Sequence, residues 1–322
     1  MKTNITKRII FYAILAIVVA SVLILGRAKV RTRTLTTADY LDTVCEIKVL
    51  SRTDKPLHMC EEYLKFAHNE FSAEDEASTL FKFNSGKNPE LSADFSELLN
   101  LGADLSKKHS ELFSIYLEPV ISAWNVTENT GIIPDVKKAL AASATEKFIN
   151  FGGIAKGYIT DKLVEKLKSQ GITSALINLG GNAYAMGKKE TGENWKIGIQ
   201  DPKDENNIIG VITAENLAVI TSGDYQRYFE RDGKKYHHIM NPKTGYPAES
   251  GVHSVTVICE DATLADFLST AAFVAGVEKG NELLKSYGAM GIFITDDTVY
   301  FSKNLENIFK QNDFSYKYEF LY

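Results

Sequence analysis

The pattern of apolar and polar positions divides the chain into strands and helices before any chemistry is considered. Arg33–Ser51 reads as a strand, with Val44, Ile47 and Val49 among its apolar positions. Pro56–Phe71 is amphipathic and carries Pro in its first turn, which predicts a helix. A loop is expected through Asn84, then a helix over Phe95–Lys108 and a helical stretch around Pro119 within Leu112–Trp124. Phe148–Ile154 reads as a strand running into a Gly-Gly turn, followed by a helix over Ala155–Ser169 and a strand over Ile172–Leu179. Short strands are expected at Trp195–Ile199, Asn207–Thr213, Ala218–Thr221, Tyr225–Glu230 and Lys235–Met240. Val252–Cys259 is another strand, Ala262–Ala275 a helix, and Gly280–Phe301 a closing α–β stretch. Strands and helices mix without regular βαβ alternation, which favours α+β over a doubly wound α/β fold. No Pro/Ser-rich linker divides residues 34–322, so they read as one domain with mixed or antiparallel sheets and packed helices.

Residues 1–33 follow a different pattern. Ile9–Gly26 is an almost unbroken apolar run between Lys2, Lys7 and Arg8 on one side and Arg27, Lys29, Arg31 and Arg33 on the other. At about 1.5 Å per residue its roughly 18 residues reach about 27 Å, near the thickness of a bilayer's hydrocarbon core. The basic flanks and the missing polar face argue against an ordinary buried helix. No convincing small-x-small cleavage site follows the run, which favours an uncleaved N-terminal transmembrane anchor over a cleaved secretory signal.

Charge changes the picture once this segment is set aside. The whole chain has 36 basic and 41 acidic residues, a formal net of −5. The first 33 residues hold seven basic and no acidic ones, which leaves 29 basic against 41 acidic, or −12, for the rest. An acidic body argues against nucleic acid as a partner. It also means that a phosphate ligand would need a cation or backbone N–H groups to hold it. Cys45, Cys60 and Cys259 show no metal-ligand spacing, and Cys45 and Cys259 sit in strand-like runs where a thiol behaves as a small buried hydrophobe. A disulfide among the three stays open.

Four segments could carry chemistry. Asn150-Phe151-Gly152-Gly153-Ile154-Ala155-Lys156-Gly157-Tyr158, with Asp161 beyond, puts two glycines between a strand and a helix, where first-turn N–H groups and Lys156 can meet an anion. Alone it also fits a plain strand-to-helix turn. Asn178-Leu179-Gly180-Gly181-Asn182 is either a ligand-facing turn or a tight reversal. Thr221–Phe229 leads to Tyr236-His237-His238-Ile239-Met240-Asn241-Pro242-Lys243-Thr244-Gly245-Tyr246-Pro247; strand neighbours point to opposite faces, so only one of the two histidines can face a given site. Asp266 and Thr270, at i and i+4 in an apolar helix, pair a carboxylate with a hydroxyl on one face. Such hard oxygen donors suit Mg²⁺, although a helix-start carboxylate and a back-bonding Thr would look the same.

Taken together and in this order, the segments resemble the FAD:protein FMN transferases, or ApbE-like flavin transferases, over about Thr36–Phe301. Phe71-Ser72 through Asn84, Pro119 and the Trp195–Pro202 stretch fit as well. The resemblance implies a single ApbE-like catalytic domain over residues 34–322, behind the 1–33 anchor. It implies one Mg²⁺ held by the Gly153 carbonyl, the Asp266 carboxylate and the Thr270 hydroxyl, with Ser269 as a neighbour. It implies FAD, as the substrate, against Leu41, Glu74, Leu112, Phe113, Ser114, Asn150, Lys156 and Ile239, and His238 as the catalytic base. The implied reaction moves FMN from FAD to a Thr or Ser hydroxyl of an acceptor protein and releases AMP. Acceptors of the family are often membrane electron-transfer proteins with a short motif resembling Asp-x-x-Ser/Thr-Gly-Ala-Ser/Thr, which is absent from this chain. The expected location is the cell membrane, with the catalytic domain on the extracytoplasmic side. FAD hydrolysis to FMN and AMP, or flavin binding without catalysis, are the alternatives. Leu41-Asp42-Thr43 stands where many members have Met-Gly-Thr, and Asn150 where an Asp precedes the Gly-Gly turn. Phe113-Ser114 replaces Phe-Asp, and Glu74 occupies an often aromatic site. These departures bear on FAD affinity and adenine recognition and leave Gly153, Asp266, Thr270 and His238 untouched.

Overall fold

The computed structural model describes residues 13, 14, 17, 29–128, 131–313 and 315–322. The expected anchor at Ile9–Gly26 therefore lies outside the described residues, apart from Ala13, Ile14 and Ile17. Among the described residues no helix is long and apolar enough to cross a membrane.

The first two elements are antiparallel strands, β1 (Arg31–Thr37) and β2 (Cys45–Ser51), and not the single strand expected over Arg33–Ser51. The reversal uses neither Gly nor Pro. Leu41 (φ 60°) and Asp42 (φ 52°) both take the left-handed region, and His68 Nδ1 accepts the Leu41 N–H at 3.2 Å. Val44, expected as a strand position, is 58% exposed at the end of this turn.

Helix α1 (Lys55–Phe71) starts with Pro56 in its first turn, where a missing N–H costs nothing. Helix α2 (Thr79–Asn84) falls inside the expected loop, started by Ser78, whose side chain accepts the Phe81 N–H. Helix α3 (Ala93–Lys108) begins in the same way at Ser92. Only the second half of Leu112–Trp124 is helical, as α4 (Glu118–Trp124), and α5 (Val136–Ser143) follows. Phe148–Ile154 is not a strand. The Asn84 side chain takes the place of a strand partner, donating to the Ile149 carbonyl at 2.8 Å and accepting its N–H at 2.9 Å.

Helix α6 (Ala155–Ser169) leads to β3 (Ala175–Leu179), β4 (Asn182–Met186), β5 (Trp195–Asp201), β6 (Asp204–Ala214) and β7 (Leu217–Gly223). The strands expected at Tyr225–Glu230 and Lys235–Met240 become a hairpin of β8 (Tyr228–Arg231) and β9 (Lys234–His237), with Met240 bridging only Pro247. The chain ends through β10 (Ser254–Cys259), α7 (Ala262–Ala275), α8 (Val277–Ser286), β11 (Met290–Ile294), β12 (Thr298–Ser302), β13 (Phe309–Gln311) and β14 (Lys317–Leu321).

Nine strands form one sheet in the order β1-β2-β3-β4-β7-β10-β11-β12-β14, and β13-β6-β5 form a second. Among the described residues every neighbouring pair is antiparallel except β12–β14, so the α+β expectation holds with a mixed main sheet. One face of the main sheet carries α1, α3, α6 and α7 over a core that includes Ile47, Leu64, Phe95, Phe151, Leu163 and Phe267. The other face packs on the small sheet through Trp195, Ile212, Val219, Ile292 and Phe301. Central strands are thus buried on both faces, and β10 shows no polar alternation in its burial for that reason. The three cysteines are free thiols, Cys45 and Cys60 buried and Cys259 partly so.

Candidate active site

Helix α7 is buried around its whole circumference, as a core helix should be, yet it carries Asp266, Ser269 and Thr270. Its start is held by two carboxylates. Asp261 accepts the Leu264 N–H at 2.7 Å, while Asp161 from α6 accepts the Ala262 and Thr263 N–H groups at 3.0 and 2.7 Å and the Thr263 hydroxyl at 2.6 Å. Both place negative charge at the positive end of the helix.

Helices α6 and α7 touch at Gly157, where a Cβ would lie 2.2 Å from the Ala262 carbonyl oxygen and 2.7 Å from Asp266 Cβ. Only glycine fits that approach. It lets the Gly157 N–H donate to Asp266 Oδ2 at 2.8 Å, while Asn182 Nδ2 donates to Oδ1 at 3.0 Å. The carboxylate is therefore buried, oriented from both sides and still has lone pairs to give. Gly153 presses on the same place, since a Cβ there would stand 3.2 Å from Thr270 Oγ1 and 3.1 Å from the Phe113 ring. Ser222, at the end of β7, lies 2.8 Å from Ser269 Oγ and 3.3 Å from Thr270 Oγ1, a hydroxyl chain that fixes the Thr270 rotamer.

These groups open into a cavity of about 1070 Å³. Its wall includes Leu41, Glu74, Leu112, Phe113, Ser114, Asn150, Gly153, Lys156, His238, Ile239, Asp266 and Thr270. The cavity thus gathers twelve of the thirteen site residues expected from sequence. Ser269 is the exception: it is fully buried behind the wall, its hydroxyl donating to the Asp266 carbonyl at 2.9 Å. The volume suits a large, elongated ligand.

The expected row of free N–H groups at the start of α6 is largely taken up. Ala155 N–H donates to the Phe151 carbonyl at 2.8 Å and Gly157 N–H to Asp266, so Lys156 supplies the positive charge at this end. His238 completes the wall from the end of β9. Its N–H donates to the Arg227 carbonyl at 3.1 Å and its Nδ1 lies 3.2 Å from the same oxygen. Enclosure pushes its pKa down to about 3, opposed by the Arg227 carbonyl and helped by His237, Arg227 and Lys156. The ring is neutral in the ordinary pH range. His237 points the other way, buried, with Nε2 2.9 Å from the Ala248 carbonyl; burial lowers its pKa as well.

Arg227 also closes one rim by donating to the Asp42 carbonyl at 3.3 Å, across from β1–β2. At another part of the wall Glu118 Oε2 accepts Asn150 Nδ2 at 2.6 Å. Roles for Ser222, Asn182, Gly157 and Glu118 carry no signal in the sequence, although the first three stand inside segments singled out there.

Among the described residues no group of three or more His, Cys, Asp or Glu could hold a metal ion. What the wall offers around Asp266 is instead its carboxylate and the Thr270 hydroxyl, both hard oxygens, with the Gly153 backbone against Thr270. That set fits Mg²⁺, which keeps several waters and shares its sphere with substrate phosphates.

Comparison with known proteins bears on the family and the fold. The model of the ApbE family matches residues 41–294. A protein of Treponema pallidum named FAD:protein FMN transferase is 31% identical over 315 residues, covering 84% of this chain and 87% of its own length. One from Klebsiella pneumoniae with the same name is 34% identical, covering 62% of this chain and 68% of its own. The crystal structure of an ApbE protein from Thermotoga maritima superposes with a TM-score of 0.78 at 29% identity, over 88% of this chain and all of that one. A flavin transferase from Vibrio cholerae, at 23% identity and a TM-score of 0.74 over 87% of this chain and all of that one, shares the fold.

Proposed function

Because the chain belongs to the ApbE family, we propose that it moves FMN from FAD onto a Thr or Ser hydroxyl of an acceptor protein, with Mg²⁺ and with release of AMP. The family relatives named FAD:protein FMN transferase make it a transferase. The observation that carries the reaction is the meeting of Asp266, Thr270, Gly153 and His238 in one cavity large enough for FAD.

In this reading Asp266, the Thr270 hydroxyl and the Gly153 carbonyl hold Mg²⁺, which neutralises diphosphate charge when bound. The acidic body makes such help necessary, and Lys156 adds a cation of the protein itself on the cavity wall. Gly157 and Asn182 keep the Asp266 carboxylate in place, and Ser222 keeps Thr270 turned toward the cavity. The acceptor oxygen bonds to the FMN phosphorus as the P–O bond to AMP breaks, and His238 Nε2 takes the hydroxyl proton. A neutral imidazole with a free Nε2 is what that step requires. The apolar run at residues 9–26 would tether the body to the cell membrane on its extracytoplasmic side, near membrane electron-transfer acceptors.

The test is incubation of the protein with FAD, Mg²⁺ and an acceptor carrying the Thr/Ser motif, followed by intact-mass analysis. The acceptor should gain one FMN, with one AMP released per transfer. Release of FMN and AMP with an unmodified acceptor would make the protein an FAD hydrolase instead.

A further inference from the structure

The Asn150–Glu118 pair stands on the cavity wall two residues from the Gly-Gly turn, and nothing described above gives Glu118 any work. Asn150 is engaged through both its backbone and its side chain. Its N–H donates to the Ile115 carbonyl at 2.7 Å, and its Oδ1 accepts the Gly152 N–H at 2.7 Å. That second bond fixes which way the amide faces, so Nδ2 is aimed at Glu118 Oε2, 2.6 Å away. A Cβ on Gly152 would stand 2.8 Å from Asn150 Oδ1, so turn and amide are packed as one unit. One acceptor position of Asn150 Oδ1 is taken by the Gly152 N–H, and the larger acceptor capacity at this place belongs to the next side chain.

That side chain is Glu118, in the first turn of α4, where the helix end favours negative charge. Its Oε1 accepts the Ser122 hydroxyl one turn along, and each carboxylate oxygen keeps a second acceptor position. Burial raises its pKa, the bonds from Ser122 and Asn150 lower it, and Glu74 on the same wall raises it further. A half-buried carboxylate with spare acceptor capacity, held by a purpose-oriented amide inside a ligand cavity, needs a donor from the ligand.

We propose that Glu118 is a substrate-binding residue whose carboxylate accepts hydrogen bonds from N–H or O–H groups of FAD, with Asn150 as the residue that positions it. FAD offers such donors in both halves: the adenine amino group and ribose hydroxyls in one, the ribityl hydroxyls and flavin N–H in the other. The inference rests on the reading of the cavity as an FAD site. It also gives a physical reason for an amide at position 150, since an Asp there would set two carboxylates against each other at 2.6 Å.

The experiment measures FAD, AMP and FMN affinity by calorimetry with Mg²⁺ present, for the full chain and for E118Q, N150D and E118Q/N150D. Replacing a charged acceptor by a neutral one should weaken FAD binding about tenfold, the lower end for a hydrogen bond to a charged group. N150D should weaken it as well, and E118Q/N150D should bind FAD more tightly than N150D alone, because one amide and one carboxylate again face each other. Loss of affinity for AMP in E118Q assigns the contact to the adenosine half, and loss for FMN assigns it to the flavin half. Unchanged affinity of E118Q for all three ligands overturns the proposal. So does a double variant that loses the full sum of the two single losses. A full chain that binds no FAD overturns both this proposal and the FAD reading. A chain that binds FAD yet transfers nothing overturns only the transfer, and the role of Glu118 is still read from the affinities.

Discussion

His237 and His238, adjacent in the chain, are fixed in opposite tautomers by the carbonyl each one faces. His237 Nε2 lies 2.9 Å from the Ala248 carbonyl and His238 Nδ1 lies 3.2 Å from that of Arg227. A carbonyl can only accept, so the ring proton sits on Nε2 in the first and on Nδ1 in the second. His237 Nδ1 accepts the Ile239 N–H at 3.2 Å, which leaves no nitrogen free. His238 keeps Nε2 as a free base on the cavity wall. The alternation of neighbours at a strand end thus separates an imidazole with both nitrogens engaged from one that faces the cavity.

The two rings should separate in mutants. His238→Asn should slow FMN transfer by about 10²–10⁴-fold, the usual range for general-base catalysis, with FAD affinity nearly unchanged. His237→Asn should instead lower the melting temperature through lost buried hydrogen bonds worth about 1–3 kcal/mol, with a far smaller effect on kcat. Equal, small losses of rate in the two variants would place the base elsewhere.

The pH profile follows from the environment of His238. Its pKa of about 3 keeps the ring neutral far below the ordinary value of 6.5, so the base is available throughout. Transfer at saturating FAD should hold level down to about pH 5 and fall only below it. A decline centred near pH 6.5 would show that the filled cavity restores an ordinary imidazole. Stability moves with the same sign: below pH 6.5 the unfolded chain takes up a proton that folded His238 refuses, so stability falls as pH drops toward 3.

Asp266→Ala should abolish Mg²⁺-dependent turnover, whereas Thr270→Ala should raise the Mg²⁺ concentration needed without ending activity. The Asp266 variant also leaves the Gly157 N–H and Asn182 Nδ2 without their partner, at roughly 1–3 kcal/mol for each buried donor. Turnover across a Mg²⁺ titration, read beside the melting temperature, separates the two effects. Full activity of Asp266→Ala at low Mg²⁺ would move the metal to other residues.

The residues that meet in the cavity were expected from the resemblance of whole segments, since each segment alone also fitted a plain structural reading. Asp266 and Thr270 share a helix face, and Gly152-Gly153 mark the turn into helix α6, although the strand expected before it is absent. What was hidden depends on distant partners. Asn182 meets Asp266 across 84 positions and Gly157 meets it across 109, contacts that no short window contains. Ser222 looked like any polar strand residue until β7 placed it beside Ser269. Strand expectations failed where side chains replaced backbone partners, as Asn84 does for Ile149. The β1–β2 reversal escaped notice because its two left-handed residues, Leu41 and Asp42, are not the Gly or Pro that usually mark a turn. Burial on both faces likewise erased the alternation that would have marked β4, whose five residues are all buried.

Asp161 tests how far helix α7 depends on its start. It alone serves the Ala262 and Thr263 N–H groups at the head of α7. Asp161→Ala should destabilise the protein by about 1–3 kcal/mol, between the loss of a cap and the exposure of a buried donor. Because Asp266 is one turn further along, the variant should also need more Mg²⁺ for the same rate. A melting temperature and a Mg²⁺ requirement both equal to the parent's would show that Asp261 suffices as the cap.

The apolar run at residues 9–26 makes a prediction independent of the chemistry. Its length matches a bilayer core, it carries no charge, and basic residues bound it on both sides. Attachment through such a segment is hydrophobic, so it should resist salt and yield to detergent. An attachment through basic residues alone would be screened within about 3 Å at molar salt. Expressed in a bacterium, the full chain should remain with the membranes after a high-salt wash, while residues 34–322 should be recovered in the soluble fraction. Protease added outside spheroplasts should cleave the body of the anchored chain, since the proposed location is extracytoplasmic. Release of the full chain by salt would sink the anchor; protection from external protease with the membrane intact would leave the anchor standing and reverse its orientation.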